Sequence, residues 1–430
     1  MEFLKYDVAI VGGGASGLMT AVSLAKNGIK CKTVILEHHK RVGRKLMATG
    51  NGRCNLSNEN INNNSYYGTA KENALNIFKE YDCNYITTYF KEIGLITISD
   101  VEGRVYPVSN NVSSVLDSMR NYISSKGITE MCETTVNSIE KNKKRYILNC
   151  DNNLKISAKF VVLACGGKAS PKLSTDGAGY LLLKQMNIKV SPLMPSLTMV
   201  KCTNKSLNSL KGLRIKGNAS LVVDGNIIDI HKGEIQFASG ALSGICIFQL
   251  SRYVNEFFVC GTIKGIKVKN LKIVLDIMPD YSKEECRKLI TDRMSFMGSY
   301  PVKNFFDGLL HKKAGEIFLK ECGINNFNRK TATLTKKEID RLVVILKNWE
   351  FTPATQSDFE NAQVTAGGVY ASEIDFSSME SKKNRNLYIT GELTDLDGIC
   401  GGYNLHWAWC SGIIAAKNIS QKIGGKFERT

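Results

Sequence analysis

Residues 6–11 (YDVAIV) form an apolar run without polar alternation, the pattern of a strand buried on both faces of a parallel sheet. Gly12, Gly13, Gly14, Ala15, Ser16 and Gly17 follow at once. Apolar positions at helical spacing over 18–27, with Gly28 as a C-cap, predict a helix. A second apolar run at 33–36 predicts another strand, ending at Glu37. The same strand-into-glycine pattern recurs at 160–167 (FVVLACGG), before a helix at 180–186 opened by residues 175–179 (TDGAG). It returns at 386–390 (NLYIT), which runs into Gly391-Glu392.

Between these stretches the pattern changes. Around Pro192 and Pro195 it gives way to short alternating segments at 219–223, 226–230 and 245–250, joined by turns such as Asp224-Gly225, which predict antiparallel strands. Helical periodicity follows at 284–294 (EECRKLITDRM) and 336–346 (KKEIDRLVVIL). The first pattern resumes near Ala362. The two ends therefore read as one α/β domain, at 1–190 and 351–430, interrupted by an insertion at 191–350.

The glycines at the first strand fit GxGxxG through Gly12, Gly14 and Gly17. Gly12 permits a tight turn, Gly14 lets a pyrophosphate approach the backbone, and Gly17 lets helix and strand pack closely. With Ala15 and Ser16 opening the helix, free N–H groups and the helix dipole face the phosphates. Glu37, 20 residues past Gly17, suits the adenosine ribose hydroxyls. Strand, glycines, helix and acid together predict a dinucleotide site. At the far end, Gly391-Glu392 matches how flavoproteins reach the ribityl chain of FAD. Gly398, Gly401, Gly402, Tyr403 and Asn404 open a last helix whose N-terminus would face N1 and O2 of a flavin. Trp407 and Trp409 read as core.

Three strings carry a resemblance to a known family: GRKLMATGNGRCNLSN at 43–58, VTAGGVYASEID at 364–375 and GELTDLDGICGGYNLHWAWCSG at 391–412. Over residues 5–420 the chain resembles the BaiN/RdsA family of FAD-dependent oxidoreductases, bacterial flavoproteins also described as aminoacetone-oxidase-like. The resemblance implies an α/β Rossmann-type FAD-binding domain, glutathione-reductase-like, interrupted by a small antiparallel β-barrel and a helical subdomain. It adds Arg44, Lys45, Gly50, Asn51, Gly52, Ala164 and Gly166 to the residues expected to hold FAD. It implies reduction of a C=C bond conjugated to a carbonyl, in a steroid-like acid or a ribosomal RNA uridine, or else oxidation of a small amine. Two positions depart from the family pattern. Residues 233–244 (GEIQFASGALSG) carry Ser239 where a polar or ionisable residue usually falls, and His406 stands where Gln is common.

Reduction of a conjugated C=C bond needs a proton donor beside the substrate. Cys54 is the candidate general acid; the alternative is a small buried packing residue. Arg53 is a candidate anchor for a carbonyl or phosphate, or a brace for the FAD pyrophosphate. A second GxGxxG with a downstream acid does not occur, so NAD(P)H, as reductant, would dock transiently.

Composition narrows the picture. The chain has 430 residues, 43% hydrophobic and 23% charged, which excludes long disorder and fibrous repeats. Thirteen scattered cysteines without CxxC argue against a disulfide framework or a zinc site and suit reduced thiols in the cytoplasm. The start of the chain lacks a signal-peptide pattern, and no apolar run is long enough for a transmembrane segment. Net charge is +17, and residues 191–350 hold 25 Lys and Arg against 15 Asp and Glu. Basic clusters at Lys264, Lys267, Lys269 and Lys272, at Arg287 and Lys288, at Lys312 and Lys313, and at Arg329, Lys330, Lys336 and Lys337 lie near Tyr300, Phe305, Phe306 and Phe327. That pairing suits a structured, ribosomal RNA, with phosphates on cations and bases on rings. The alternatives are a solvated basic surface over core aromatics with a small-molecule substrate, or a non-catalytic FAD-containing RNA-binding protein.

Overall fold

A computed structural model describes residues 3–28, 30–151, 153–173 and 176–424. It divides into two compact units, Met1–Pro195 with Ala362–Thr430, and Ser196–Asn361.

The first unit is built on five parallel strands in the order Thr129–Met131, Thr33–Leu36, Phe3–Val11, Lys155–Leu163, Leu387–Ile389. Val8, Ala9 and Ile10 at the centre have no exposed surface, as the unbroken apolar run requires. Antiparallel strands flank this core: Val136–Asn142 and Arg145–Cys150 on Lys155–Leu163, and Ile374–Asp375 and Glu380–Ser381 beyond Leu387–Ile389. The first helix, Ala15–Lys26, packs against the last, Tyr403–Gly424. Trp407 and Trp409 are buried in that packing. The helix expected after the second glycine run is Ala178–Gln185; residue 175, the first of the segment expected to open it, lies outside the described set. Among the described residues no helix is long and apolar enough to cross a membrane.

The second unit is a six-stranded antiparallel sheet in the order Val200–Lys201, Ala241–Ser243, Asn226–Ala238, Arg214–Val223, Leu271–Asp276, Trp349–Phe351. Its two outer strands also meet. Ala354 N donates to Lys201 O at 2.9 Å and Thr203 N to Thr352 O at 3.0 Å, around a Cys202–Pro353 bridge. Among the described residues five helices accompany the sheet: the short Ser206–Leu210, then Ile245–Cys260, Lys283–Phe296, Lys312–Glu321 and Lys336–Lys347. Phe237, Phe318, Trp349 and Phe351 stack in its core, with Phe318 edge-on to Trp349 at 4.6 Å.

Three expectations need correction. Residues 245–250 are helical, because the apolar stretch that begins there continues to Cys260 and buries Cys246, Ile247, Leu250 and Val254 along one side. The insertion runs past residue 350, since Trp349–Phe351 is the last strand of its sheet. Phe305 and Phe306 are core residues, edge-on to each other at 5.1 Å, and cannot stack on bases.

Phe318→Ala removes the ring that holds Trp349 edge-on. It is expected to destabilise the second unit by about 3–5 kcal/mol, seen in calorimetry as a lowered transition with that of the first unit unmoved. A single transition shifted by less than about 1 kcal/mol would show that the aromatic stack carries little of this core.

Candidate functional site

The carboxyl ends of Phe3–Val11, Thr33–Leu36, Lys155–Leu163 and Leu387–Ile389 lie along one edge of the parallel sheet, with Gly12, Glu37, Ala164 and Gly391 just past them. Gly12 has φ +105°, and a Cβ on it would lie 2.5 Å from Ala164 O. A Cβ on Gly17 would lie 2.0 Å from Gly12 O. No side chain could occupy either position without displacing backbone. Gly14 faces open space, with nothing within 4 Å of where its Cβ would be. It is the N-cap of Ala15–Lys26, and no side chain caps that helix, so its dipole is directed at the gap. Gly166, past the end of Lys155–Leu163, also has positive φ, +73°.

Glu37 is buried, and its Oε2 accepts from Gly13 N at 2.9 Å while Oε1 accepts from His39 N at 3.0 Å. Burial raises its carboxyl pKa, but the His38 bond and the two backbone donors outweigh burial and hold it below the ordinary glutamate value. Glu37 is therefore an anion that braces the glycine turn. Arg44 lies on the surface, with Nη1 3.0 Å from His39 Nδ1.

In the loop from Gly50 to Cys54 the backbone is left-handed at Gly50 (φ 57°), Asn51 (55°), Gly52 (83°) and Cys54 (61°), with Arg53 between them right-handed at −95°. Non-glycine residues in that region carry strain, which surrounding contacts must hold in place. Cys54 supplies one such contact. Its side chain has no exposed surface, and burial pushes its thiol up to about 12. It cannot reach a substrate, and the general-acid reading is withdrawn. Arg53 is exposed instead. Its guanidinium lies 4.5 Å over the Tyr106 ring, and its Nε donates to Gly50 O at 3.3 Å.

The second half of the site closes against the first. Lys45 Nζ meets Glu392 Oε2 at 2.8 Å, across 347 residues of chain. Glu392 Oε1 accepts from Thr365 N at 2.8 Å. Gly391 has φ +64°, and its Cβ would fall 2.6 Å from Ser16 Oγ. Its N–H donates to Ser411 Oγ at 2.9 Å, and Trp407 Nε1 donates to Thr394 Oγ1 at 2.8 Å. Asn58 Nδ2 donates to Gly401 O at 2.9 Å. A Cβ on Gly402, at φ +98°, would lie 2.4 Å from Ser57 O and 2.6 Å from Asn55 Oδ1, a buried oxygen without a hydrogen-bond partner.

Two residues expected to contact the cofactor have side-chain partners within the protein. Asn404 spends both ends of its amide on Gly398, accepting from N at 2.8 Å and donating to O at 2.9 Å. Tyr403 is buried edge-on to Tyr66 at 5.9 Å, and its own carbonyl accepts from Tyr66 Oη at 2.8 Å. Both shape the Gly398–Gly402 loop. Asn55, Tyr106 and Thr365 were missed. Asn55 lay inside a quoted string, whereas Tyr106 carried no sequence signal.

The two departures from the family pattern separate. Ser239 is exposed, with Oγ 3.1 Å from Asn208 Oδ1. His406 is fully buried, with Nδ1 2.8 Å from Ser57 Oγ and Nε2 3.0 Å from Tyr81 O. The carbonyl can only accept, so Nε2 carries the proton and Nδ1 accepts from Ser57. His406 is a core bond rather than a substrate contact.

The converging strands, the uncapped helix over Gly14 and the glycine loop at 398–402 define a Rossmann-type flavoprotein oxidoreductase. Residues 6–418 match the family model described as HI0933-like protein Rossmann domain, and the chain belongs to that family, the BaiN/RdsA family of its sequence strings. It is 32% identical over 415 residues to the 3-dehydro-bile acid delta(4,6)-reductase of Clostridium scindens, covering 96% of this chain and 99% of that one. It is 26% identical over 419 residues to the ribosomal RNA dihydrouridine synthase of Haemophilus influenzae, covering 96% and 98%. Among solved structures, the fold matches an E. coli quinol fumarate reductase chain, FrdA, with a TM-score of 0.51 at 14% identity, over 99% of this chain and 72% of that one.

Burial lowers the His406 imidazole from 6.5 to about 4. An unfolded His406 takes up a proton below 6.5 and the folded one resists until about 4, so the native state loses stability as pH falls through that window. The loss is on the order of 3 kcal/mol. His406→Gln can keep both hydrogen bonds and does not titrate. Its melting temperature is expected to fall less than that of the parent between pH 6.5 and 4.5; an unchanged difference would show that His406 does not set the acid limit.

Proposed function

We propose that the chain is an FAD-dependent reductase of a C=C bond conjugated to a carbonyl, acting on a small molecule, with NAD(P)H as the electron donor. The observation that carries the proposal is the Lys45–Glu392 contact, which joins the segment after the strand Thr33–Leu36 to the Gly391–Gly402 loop at the strand ends.

The residues fit FAD. Gly14 leaves a side-chain-free gap before an uncapped helix, room for a pyrophosphate with Gly12, Ala15, Ser16 and Gly17 shaping the turn. Glu37, already ionised, keeps lone pairs for the adenosine ribose. Glu392 and Lys45 would hold the ribityl hydroxyls, with Gly391, Ala164 and Gly166 giving clearance. Asn55 Oδ1, buried and unpartnered beside Gly402, is an acceptor waiting for a donor such as a flavin imide N–H. Gly50, Asn51, Gly52 and Gly401 line the same loops, and Arg44 remains at the rim. Bound FAD supplies the hydride.

Arg53 is the residue for the substrate. A guanidinium held over Tyr106 and tied to Gly50 O is positioned but still exposed, and it can donate to a carbonyl oxygen as negative charge develops there. The insertion is read as a small β-barrel with a helical subdomain, in which the joined outer strands support closure of the sheet. The higher identity to a protein named as a bile acid reductase supports a conjugated ketone as substrate. A second reading, with a ribosomal RNA uridine as substrate, rests on the basic excess of the insertion and on exposed Lys312, Lys313, Lys330, Lys336 and Lys337. Burial of Phe305 and Phe306 removes two of the rings that would have stacked bases.

The test is anaerobic incubation of the holo-protein with NADH or NADPH and a 3-oxo-4-ene steroid acid. The expected product is heavier by two hydrogens. If no enone is reduced but rRNA from a strain lacking the gene has lost dihydrouridine, the substrate is RNA; if neither changes, the reductase reading fails. Arg53→Ala is expected to lower kcat/KM roughly tenfold to a hundredfold with FAD content unchanged; a loss of FAD instead would assign Arg53 to the cofactor phosphates. Gly402→Ala forces a Cβ onto Ser57 O, and the flavin-to-protein absorbance ratio is expected to drop in a protein that still folds.

A further inference from the structure

A small sheet in the first unit carries an apolar face beside Arg53. Its three strands are Ser57–Asn58, Arg104–Pro107 and Thr97–Ser99, in that order. Ser57 pairs with Val105 and Asn58 with Arg104, while Ile98 pairs with Tyr106 and Thr97 with Pro107. Val108 N donates to Ile96 O at 3.0 Å and extends the second ladder by one pair. Side chains alternate along each strand. Ser57 and Val105 are buried on one face, where Ser57 meets His406. Asn58, Tyr106, Val108, Ile98 and Ile96 therefore share the other.

That face changes character across its width. Asn58 is buried and holds Gly401 O. Tyr106 is buried beneath the Arg53 guanidinium. A Cβ on Gly50 would lie 3.7 Å from the Tyr106 ring and 3.0 Å from Asn55 N, so the ring stands against the loop that presents Asn55. Beyond Tyr106 the face is bare: Ile98 is 60% exposed, Ile96 55% and Val108 58%. At the hairpin tip it ends in Arg104, paired with Asp100 at 2.8 Å. The three aliphatic side chains thus form a shelf that begins at Arg53 and runs about 7 Å further along the strands. Folding does not account for it. Thr97–Ser99 is the edge strand of this sheet, where exposed apolar side chains invite aggregation and polar ones are the usual protection.

We propose, resting on the reductase reading, that Ile96, Ile98 and Val108 bind the hydrocarbon body of the enone whose carbonyl meets Arg53, and so select fused-ring enones over single-ring ones. A single ring at Arg53 leaves the second row of the shelf, Ile96 and Val108, in water. A fused-ring body reaches that row and removes apolar surface from water on both sides of the contact. A uridine within RNA would bring ribose and phosphates there, and the aliphatic side chains offer them no hydrogen-bond donor.

The test is equilibrium dialysis of the flavin-loaded protein against a 3-oxo-4-ene steroid acid, a measurement independent of turnover. Ile98→Thr combined with Val108→Thr keeps β-branched side chains and their strand preference. It is expected to weaken steroid binding about tenfold, with flavin content and melting temperature retained. Ile266→Thr, at an exposed isoleucine of the second unit, is expected to leave binding as it is. In turnover, the ratio of kcat/KM for the steroid acid to that for cyclohex-2-enone is expected to fall by a similar factor, through KM. A parent protein that does not bind the steroid acid, or a double variant that binds it as before, overturns the proposal. So does a parent dimer that the double variant converts to monomers with steroid binding intact, which would assign the face to a second copy of the chain. Absence of turnover with both enones would instead overturn the reductase reading, while the dialysis still decides the shelf.

Discussion

The first unit depends on backbones that approach more closely than side chains allow. Gly17 lies against Gly12 O, Gly412 against Ser16 O with a Cβ that would fall 2.7 Å away, and Gly391 against Ser16 Oγ. These contacts let the first helix pack on the last and bring the second half of the site over the glycine turn. Any side chain at Gly17 would force the helix off the strand and open the gap before Gly14. The ion pair of Lys45 with Glu392, each side chain 21% exposed, gains its value from this prior closeness. Its geometry is set by packing, so little side-chain entropy is left for the pair itself to overcome.

Because the two halves of the site are pinned by backbone packing, a long stretch of chain can lie between them. Loop-closure entropy grows only with the logarithm of length, and here the intervening chain folds on its own sheet and aromatic core. The joined outer strands, Val200–Lys201 and Trp349–Phe351, lie near its start and end. The chain thus enters and leaves the second unit through hydrogen-bonded neighbours, an arrangement that tolerates change in the middle of that unit.

The parts legible in the sequence were those in which local chemistry and tertiary role coincide. An apolar strand, a glycine turn, a helix and an acid at a fixed distance specify one local geometry, and Gly12, Gly14, Gly17 and Glu37 take it. Residues 245–250 show the opposite case. Their apolar run is equally compatible with strand and helix, and the side they bury is chosen by a sheet that forms elsewhere in the sequence. Cys54 and Arg53 show a subtler failure. They are adjacent, and sequence favoured the thiol as the acid, but left-handed backbone at Cys54 turns the thiol inward and leaves the guanidinium outside. That inversion depends on φ, which no pattern of residue types records. Tyr106, which holds Arg53, lies 53 positions away and has no local mark of its role.

The electrostatics follow the same division. In the first unit ionised groups are enclosed and matched: Glu37 by backbone donors, Glu392 by Lys45 and Thr365, and His406 kept neutral by burial. Groups held in this way interact through fixed dipoles and individual partners, and salt screens them less than it screens exposed pairs. In the second unit the basic excess is on the surface, and several ion pairs there are well exposed, Lys232 with Asp280 at 3.1 Å by more than two-thirds on both sides and Arg214 with Glu234 at 3.2 Å by half or more. They contribute little to stability, so folding does not account for the surplus lysines. A charge that neither the core nor the dinucleotide site uses acts at a distance on whatever approaches the surface.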